Sequence, residues 1–285
     1  MTEITWLPTT PGYTDYRPVF TLDDGAVIYE HTNVSSGATV LCKYTLDTKS
    51  SSLLIANPPT DLPAQTRPDV ASDGTVALTG DLSGSNGFIW LTDENGGNVT
   101  KLDGTFGMCY PAWYADAQQM AVMNTNENKP FSCAIDRSGK TTIARLMPDT
   151  LYAGMPSISH ETSPRLAFPG QPTGSPSDQN NNHLYIANNP ASAFEPDPNH
   201  QARAPWWSPD ATRIVFESNR SGSGYAIYVI TLGVIDVVEP LTDPSIGAQH
   251  AKWSHDGTQV VFCGRPPGSS AMAIGIIPYT PFIGT

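Results

Sequence analysis

Charge is scarce in this chain. Only 15% of its 285 residues are Asp, Glu, Lys or Arg, against roughly 25% in an ordinary soluble domain. What charge there is runs acidic, with Lys and Arg totalling 15, Asp and Glu 27, and a net charge of −12. A general nucleic-acid binder, or a protein held on anionic lipid, needs a basic face, so neither class is expected. Long apolar runs are missing too, and none approaches the roughly 18 residues of a membrane-spanning helix. The opening MTEITWLPTTPG has no basic or apolar leader pattern. The expectation is a cytoplasmic protein, or a periplasmic one if a leader has been removed. The four cysteines (Cys42, Cys109, Cys133 and Cys263) never approach C-x-x-C spacing, which predicts buried free thiols and no thiolate metal site. No G-x-S-x-G elbow occurs, so a serine hydrolase is not expected.

What the chain has in abundance is turn formers. There are 24 glycines and 26 prolines, spaced so that short apolar segments survive between them. No segment has the length and 3.6-residue period of an amphipathic helix. The composition is that of many short strands joined by tight turns.

One stretch organises the rest. APWWSPDATRIVF, residues 204–216, returns as HAKWSHDGTQVVF at 250–262. Four fainter copies bring the anchor column to Pro18, Pro68, Pro111, Pro156, Pro205 and Ala251, at intervals of 43 to 50 residues. Two residues after each anchor stands Phe20, Val70, Trp113, Ile158, Trp207 or Trp253. Proline gives up no ladder hydrogen bond at a strand's first residue, so each anchor is predicted to open a strand. A polar turn such as Asp24-Gly25, Asp73-Gly74 or Asp256-Gly257 follows. Asp-Gly readily supplies the positive φ of a tight hairpin, and the returning strand is apolar, as in Ile214 to Phe216.

A third strand and a fourth can be read in most copies, the fourth of the third copy over Ile143 to Leu146 after a turn ending at Gly139. Four short strands in a unit of roughly 40–50 residues make a propeller blade. The fold class predicted is therefore all-β, a six-bladed β-propeller with four-stranded antiparallel blades, filling residues 1–285 as a single domain. The last copy lacks its own fourth strand. Ile4 to Leu7 is predicted to supply it and close the ring, with Phe282-Ile283 as the competing candidate. The fourth copy is the most divergent, with a polar insertion from Pro169 to Asn182 and a long linker from Asn188 to Ala204. Both are expected to be loops, apart from a short, poorly defined fourth strand near Ala193-Phe194.

The segment Pro205 to Ile230, with its P-x-W-S-P-D-x-x-x-I-x-F core followed by Glu217-Ser218-Asn219-Arg220 and Ala226-Ile227-Tyr228, resembles the WD-like repeat of the TolB propeller. Ala251 to Phe262 resembles it clearly and the remaining copies more weakly, so that nearly the whole chain is covered. The resemblance implies a six-bladed propeller of TolB type. The same repeat occurs in peptidase propellers and in oligogalacturonate lyases, so the resemblance bears on fold more than on function.

Pockets in such rings form where loops from every blade converge. Trp113, Trp207 and Trp253 are expected to pack between blades, whereas Asp69, Trp206 and Lys252 lean toward the channel. The residues just before the anchors are predicted to line one mouth: Tyr16, Arg17, Arg67, Tyr110, Met155, Arg203 and His250. The loops after the second strands add Arg220 and Arg265. Five of nine arginines thus fall on one face of an acidic protein. Guanidinium forks match carboxylate and phosphate, and the expected function is a binding module, a monomer taking a protein partner or a small anionic ligand there without a cofactor. A metal-assisted lyase on acidic oligosaccharide is the alternative, with His31, His200 and His250 as imidazoles near the mouth. No catalytic residue or metal ligand is assigned. His160 and His255 are predicted to be solvent residues of the opposite face.

Overall fold

The computed structural model describes residues 3–80, 87–126, 130–138, 144–175, 181–222, 224–233 and 237–280. Six antiparallel sheets form a six-bladed β-propeller. Blade 1 runs Tyr13–Phe20, Ala26–Asn33, Thr39–Thr45 and Ser50–Leu53 from axis to rim. Blade 2 runs Gln65–Val70, Thr75–Gly80, Phe88–Asp93 and Thr100–Lys101. Blade 3 runs Met108–Trp113, Gln119–Asn124, Phe131–Asp136 and Ala144–Arg145. Blade 5 runs Ala202–Trp207, Arg213–Ser218, Ala226–Thr231 and Val237–Pro240. Among the described residues no helix is long and apolar enough to cross a membrane.

Blade 6 is made from both ends of the chain. Gln249–Trp253, Gln259–Gly264 and Ala273–Pro278 are joined at the outer edge by Thr5–Trp6, paired as Thr5↔Ile276 and Trp6↔Gly275. Leu7 extends the match by donating its N–H to Ile274 O at 2.8 Å. The N-terminal strand therefore closes the ring, which leaves only short outer edges unpaired. The rival segment Phe282-Ile283 lies outside the described residues, as do Gly139, Ile143 and residues 176–180 of the blade 4 insertion.

Two sequence expectations are corrected. In five blades the anchor residue does not open its strand; it sits inside it, at a β-bulge, and only Pro156 of blade 4 directly precedes a strand as expected. In blade 1 Tyr16 faces Glu30 and Val19 faces Ile28, so Arg17 and Pro18 together stand opposite Tyr29. The same two-against-one register recurs at residues 67–68, 110–111, 204–205 and 250–251. A bulge leaves one residue outside the ladder, which is how proline, lacking an N–H, is accommodated mid-strand. In blade 4 the break is wider and splits the inner strand into Leu151–Ala153 and Ser157–Ile158. The second correction is there too. The start of the insertion, Pro169 to Pro172, is strand and not loop, because Leu166–Pro172 runs on to pair with Leu151–Ala153.

The core lies between the sheets. Phe168, Phe216 and Phe262 lie within the second strands of blades 4, 5 and 6 and are fully buried, as is Phe20. Trp113, Trp207 and Trp253 are buried at the inner ends of their blades. Blades are also stitched by hydrogen bonds from backbone to side chain. The Trp113 N–H donates to Asp69 Oδ2 of blade 2 at 2.9 Å, and the Trp207 N–H to Ser157 Oγ of blade 4 at 3.0 Å.

Candidate functional site

The bulge has a consequence at the axis. Its first residue adopts a positive φ in five blades: Arg17 at 44°, Arg67 at 55°, Tyr110 at 55°, Ala204 at 42° and His250 at 52°. Side chains with a Cβ rarely adopt this region, and such strain persists where the surroundings hold it. What holds it here is the preceding blade. The Arg67 N–H donates to Glu30 Oε1 at 2.7 Å, the His250 N–H to Glu217 Oε1 at 2.8 Å, and the Tyr110 N–H to Thr79 Oγ1 at 3.3 Å. Glu30, Thr79 and Glu217 all lie near the ends of second strands.

These bulge residues converge on a recess at one end of the axis. Arg17, Arg67, Tyr110, Met155, Ala204 and His250 line it, one from each blade, backed by Pro68, Pro111, Pro156, Pro205 and Ala251. Apolar walls with a few placed polar groups are typical of small-ligand pockets. Arg17 Nη1 donates to Glu30 Oε2 at 2.8 Å, while its Nε is buried with no hydrogen-bond partner. The Arg67 guanidinium lies 4.4 Å from the centre of the Tyr110 ring. Desolvation works against the charge on Arg17, but Glu30 and Tyr110 outweigh it and hold its pKa above the ordinary value. His250 goes the other way. Burial, with Arg17, Arg67, Lys252 and Arg203 nearby, pushes its pKa well below 6.5, so the imidazole is neutral. Burial raises the pKa of Glu217, against the His250 N–H and the arginines.

The remaining sequence candidates are placed elsewhere. Tyr16 and Arg203 occupy the strand phase before the bulge, which turns them away from the recess lining. Arg203 stacks on Tyr225 at 3.8 Å. Arg220 pairs with Asp197 and lies over Tyr228 at 4.8 Å, tying the blade 4 to 5 linker down. Arg265 is exposed, with Nε 3.4 Å from Ser270 O. Of the named residues, then, Arg17, Arg67, Tyr110 and His250 are brought together. Glu30 and Glu217 escaped the sequence reading. Each ends a buried apolar run, Ala26 to Tyr29 or Ile214 to Phe216, and a carboxylate at such a phase was the available signal.

The floor of the recess is a polar plug. Lys252 reaches across the axis from blade 6 to blade 2, with Nζ 3.0 Å from Asp69 Oδ1, 2.8 Å from Pro68 O and 3.7 Å from the centre of the Trp206 ring. Beyond it a second recess opens at the other end of the axis, lined by Trp113, Trp206, Trp207, Trp253, His160 and His255 among others. The two histidines are thus part of a cavity wall and not merely solvated. His160 Nε2 contacts Trp113 O at 3.1 Å, and His255 Nδ1 contacts Asp24 Oδ1 at 3.1 Å.

The imidazoles of the lyase reading are each engaged singly: His31 with Asp15 at 2.7 Å, His200 with Asp197 at 2.8 Å and His250 with Glu217 at 3.5 Å. Among the described residues no three His, Cys, Asp or Glu side chains are grouped to hold a metal ion.

A ring of six antiparallel sheets, closed by its N-terminal strand and recessed at both mouths, is a six-bladed β-propeller. No protein-family model and no curated protein matches the chain. Among solved structures, TolB from Acinetobacter baumannii superposes with a TM-score of 0.67 at 17% identity, over 90% of this chain and 64% of that one. The chain thus spans just under two thirds of that TolB. An oligogalacturonate lyase in complex with manganese gives a TM-score of 0.62 at 13% identity, covering 98% and 93% of the two chains. The propeller domain of the Trilobed protease from Pyrococcus furiosus, described as having an open velcro topology, gives 0.58 at 11% identity over 96% and 99%. These likenesses define the fold.

Proposed function

We propose that this chain is a binding module that holds an anionic group between Arg17 and Arg67 at the bulge-lined mouth. The group is the carboxylate of a small ligand, or the acidic end of a segment from a protein partner. One observation carries the reading: five blades send their bulge residue, and blade 4 sends Met155 from its strand break, to one recess, and two of these six residues are charged guanidiniums. Arg17 enters it with a buried Nε that no protein atom satisfies. An unmet charged donor is costly, and a carboxylate offers the matching acceptor. Neutral His250 keeps a third cation from crowding the site. The lyase reading draws no comparable support, since its histidines are paired off one by one.

The test is calorimetric titration of glutarate and of a short peptide ending in glutamate. With the fold checked by circular dichroism, Arg67→Ala is expected to weaken binding about tenfold, and Arg17→Ala/Arg67→Ala about a hundredfold, on the scale of charged hydrogen bonds worth about 1.5–3 kcal/mol each. Affinity unchanged in both variants would overturn the assignment.

A further inference from the structure

The second recess belongs to no function derived so far. It opens on the face that carries the first hairpin turn of each blade, since His160, Ser208, Pro209, Ser254 and His255 of its wall lie in those turns. Four of the chain's six tryptophans line it: Trp113, Trp206, Trp207 and Trp253. Asp69, 4% exposed, is in the wall near the plug.

Its electrostatic surroundings are opposite to those of the first mouth. Every first hairpin turn contributes an acidic side chain: Asp23, Asp73, Asp116, Glu161, Asp210 and Asp256. Asp23, Asp73, Asp210 and Asp256 accept backbone N–H bonds from Gly25, Thr75, Thr212 and Thr258. Those donors favour the ionised form. Three of the six are balanced locally, Asp73 by Arg137, Glu161 by Arg165 and Asp210 by Arg213, which leaves Asp23, Asp116 and Asp256 as the turn carboxylates that make this end of the axis the more acidic one.

We propose that this second recess is a binding site for an organic ammonium group. Tryptophan faces attract cations through the ring quadrupole. Trp113 and Trp207 already carry Arg137 and Arg165 at 5.3 and 4.5 Å from their ring centres, so the ligand's ammonium is assigned to Trp206 and Trp253, with Asp23, Asp116 and Asp256 raising the local concentration of a cation. The protein supplies an internal example. The Lys252 ammonium lies against Trp206 and Asp69 at 3.7 and 3.0 Å, approaching from the side of the first recess. Trp206 borders both recesses, so its ring is available to a second ammonium from the far side. His255, the one rim imidazole facing a carboxylate, has its charge met by Asp24, so it does not oppose an incoming cation at full strength.

The experiment uses choline, its uncharged carbon isostere 3,3-dimethylbutanol and benzoate as probes, read by intrinsic tryptophan fluorescence and by calorimetry. Choline is expected to bind saturably and at least tenfold more tightly than the isostere. Trp206→Leu is expected to weaken choline about tenfold. Because that residue also backs the Lys252 plug, the exposed turn variant Asp23→Asn/Asp116→Asn serves as a second probe. It is expected to weaken choline two- to threefold and to flatten the salt dependence. Arg67→Ala, at the other mouth, is expected to leave choline affinity unchanged, so this site and the anionic site succeed or fail independently. Equal binding of choline and its isostere would overturn the proposal, as would no choline binding by the wild type. So would benzoate binding that is lost in Trp206→Leu and kept in Arg67→Ala. That last result would assign the recess to the buried, unpartnered indole N–H groups of Trp113, Trp207 and Trp253 and not to the ring faces.

Discussion

Two histidines on opposite faces of this ring respond to acid in opposite senses. His250, buried among Arg17, Arg67, Lys252 and Arg203, has its pKa depressed by burial first and by those cations second. Its unfolded value is about 6.5. Its contribution to stability is present above that pH and lost as the pH falls toward the folded value, because the unfolded chain takes up the proton first. His255 is raised. Burial opposes the shift, and the hydrogen bond and charge of Asp24 outweigh it. Its contribution is full below about pH 6.5 and lost as the pH climbs through the raised value. Melting temperatures followed from pH 5 to 9 are expected to show this contrast. His250→Gln is expected to lessen the acid loss below pH 6.5, and His255→Gln to fall short of wild type most at low pH, with the gap narrowing as the pH rises. The types and rough positions of such residues were legible in the chain. Their environments were not, because Glu217 lies 33 residues from His250, Asp24 lies 231 from His255, and the arginines lie 47 to 233 from His250, so that they meet the histidines only across blade boundaries.

At the level of elements, the inner strands and the closing strand decide the architecture. The bulge was invisible in the repeat. Proline at a fixed phase fits a strand start or a mid-strand bulge equally well, and only the pairing of Tyr16 with Glu30 and Val19 with Ile28 separates them. The same pairing explains why Arg17, directly before its anchor, lines the mouth while Arg203, two positions before Pro205, does not. The closing strand was legible, because a strand, a loop and an anchor precede the first blade as they precede the others. Its partner strand has a requirement of its own. A Cβ on Gly275, opposite Trp6, would come within 2.7 Å of Phe262 and 3.1 Å of Ile4. Gly275→Ala is therefore expected to loosen the clasp. Leu7→Ala, which empties a buried site, is expected to cost about 2–5 kcal/mol. Both are checked by thermal melts, and by hydrogen exchange at Thr5–Trp6, where earlier loss of protection than in the blade 5 strands is the expected result.

At the scale of the whole molecule, one ion pair among the described residues joins non-adjacent blades across the axis. Lys252 and Asp69 join blades 6 and 2 with side chains 12% and 6% exposed. Burial pulls the Lys252 pKa down while Asp69 and Glu30 support it. Removing one partner of a buried pair strands the other, at about 3–5 kcal/mol, whereas replacing both is far milder. Lys252→Met is accordingly expected to destabilise strongly, and Lys252→Met/Asp69→Asn to recover much of the loss. A double-mutant cycle by chemical denaturation checks this, and additive single effects would mean that the two groups act independently. The pair also divides the channel into two recesses of unlike character, one edged by guanidinium and one walled by indole.

The chain by itself determined the number of blades, their strand order, the hairpin turns and the clasp of the two ends. Those are set by local chemistry, in which alternation, proline phase and Asp-Gly turns act within a few residues and repeat six times. What only the tertiary structure decided was which side chains share a mouth. Residues one strand position apart point to opposite sides of a sheet, so a single bulge brings Arg17, Arg67, Tyr110 and His250 together and sends Tyr16 and Arg203 away. No neighbouring residue records that choice; the register of the next strand does.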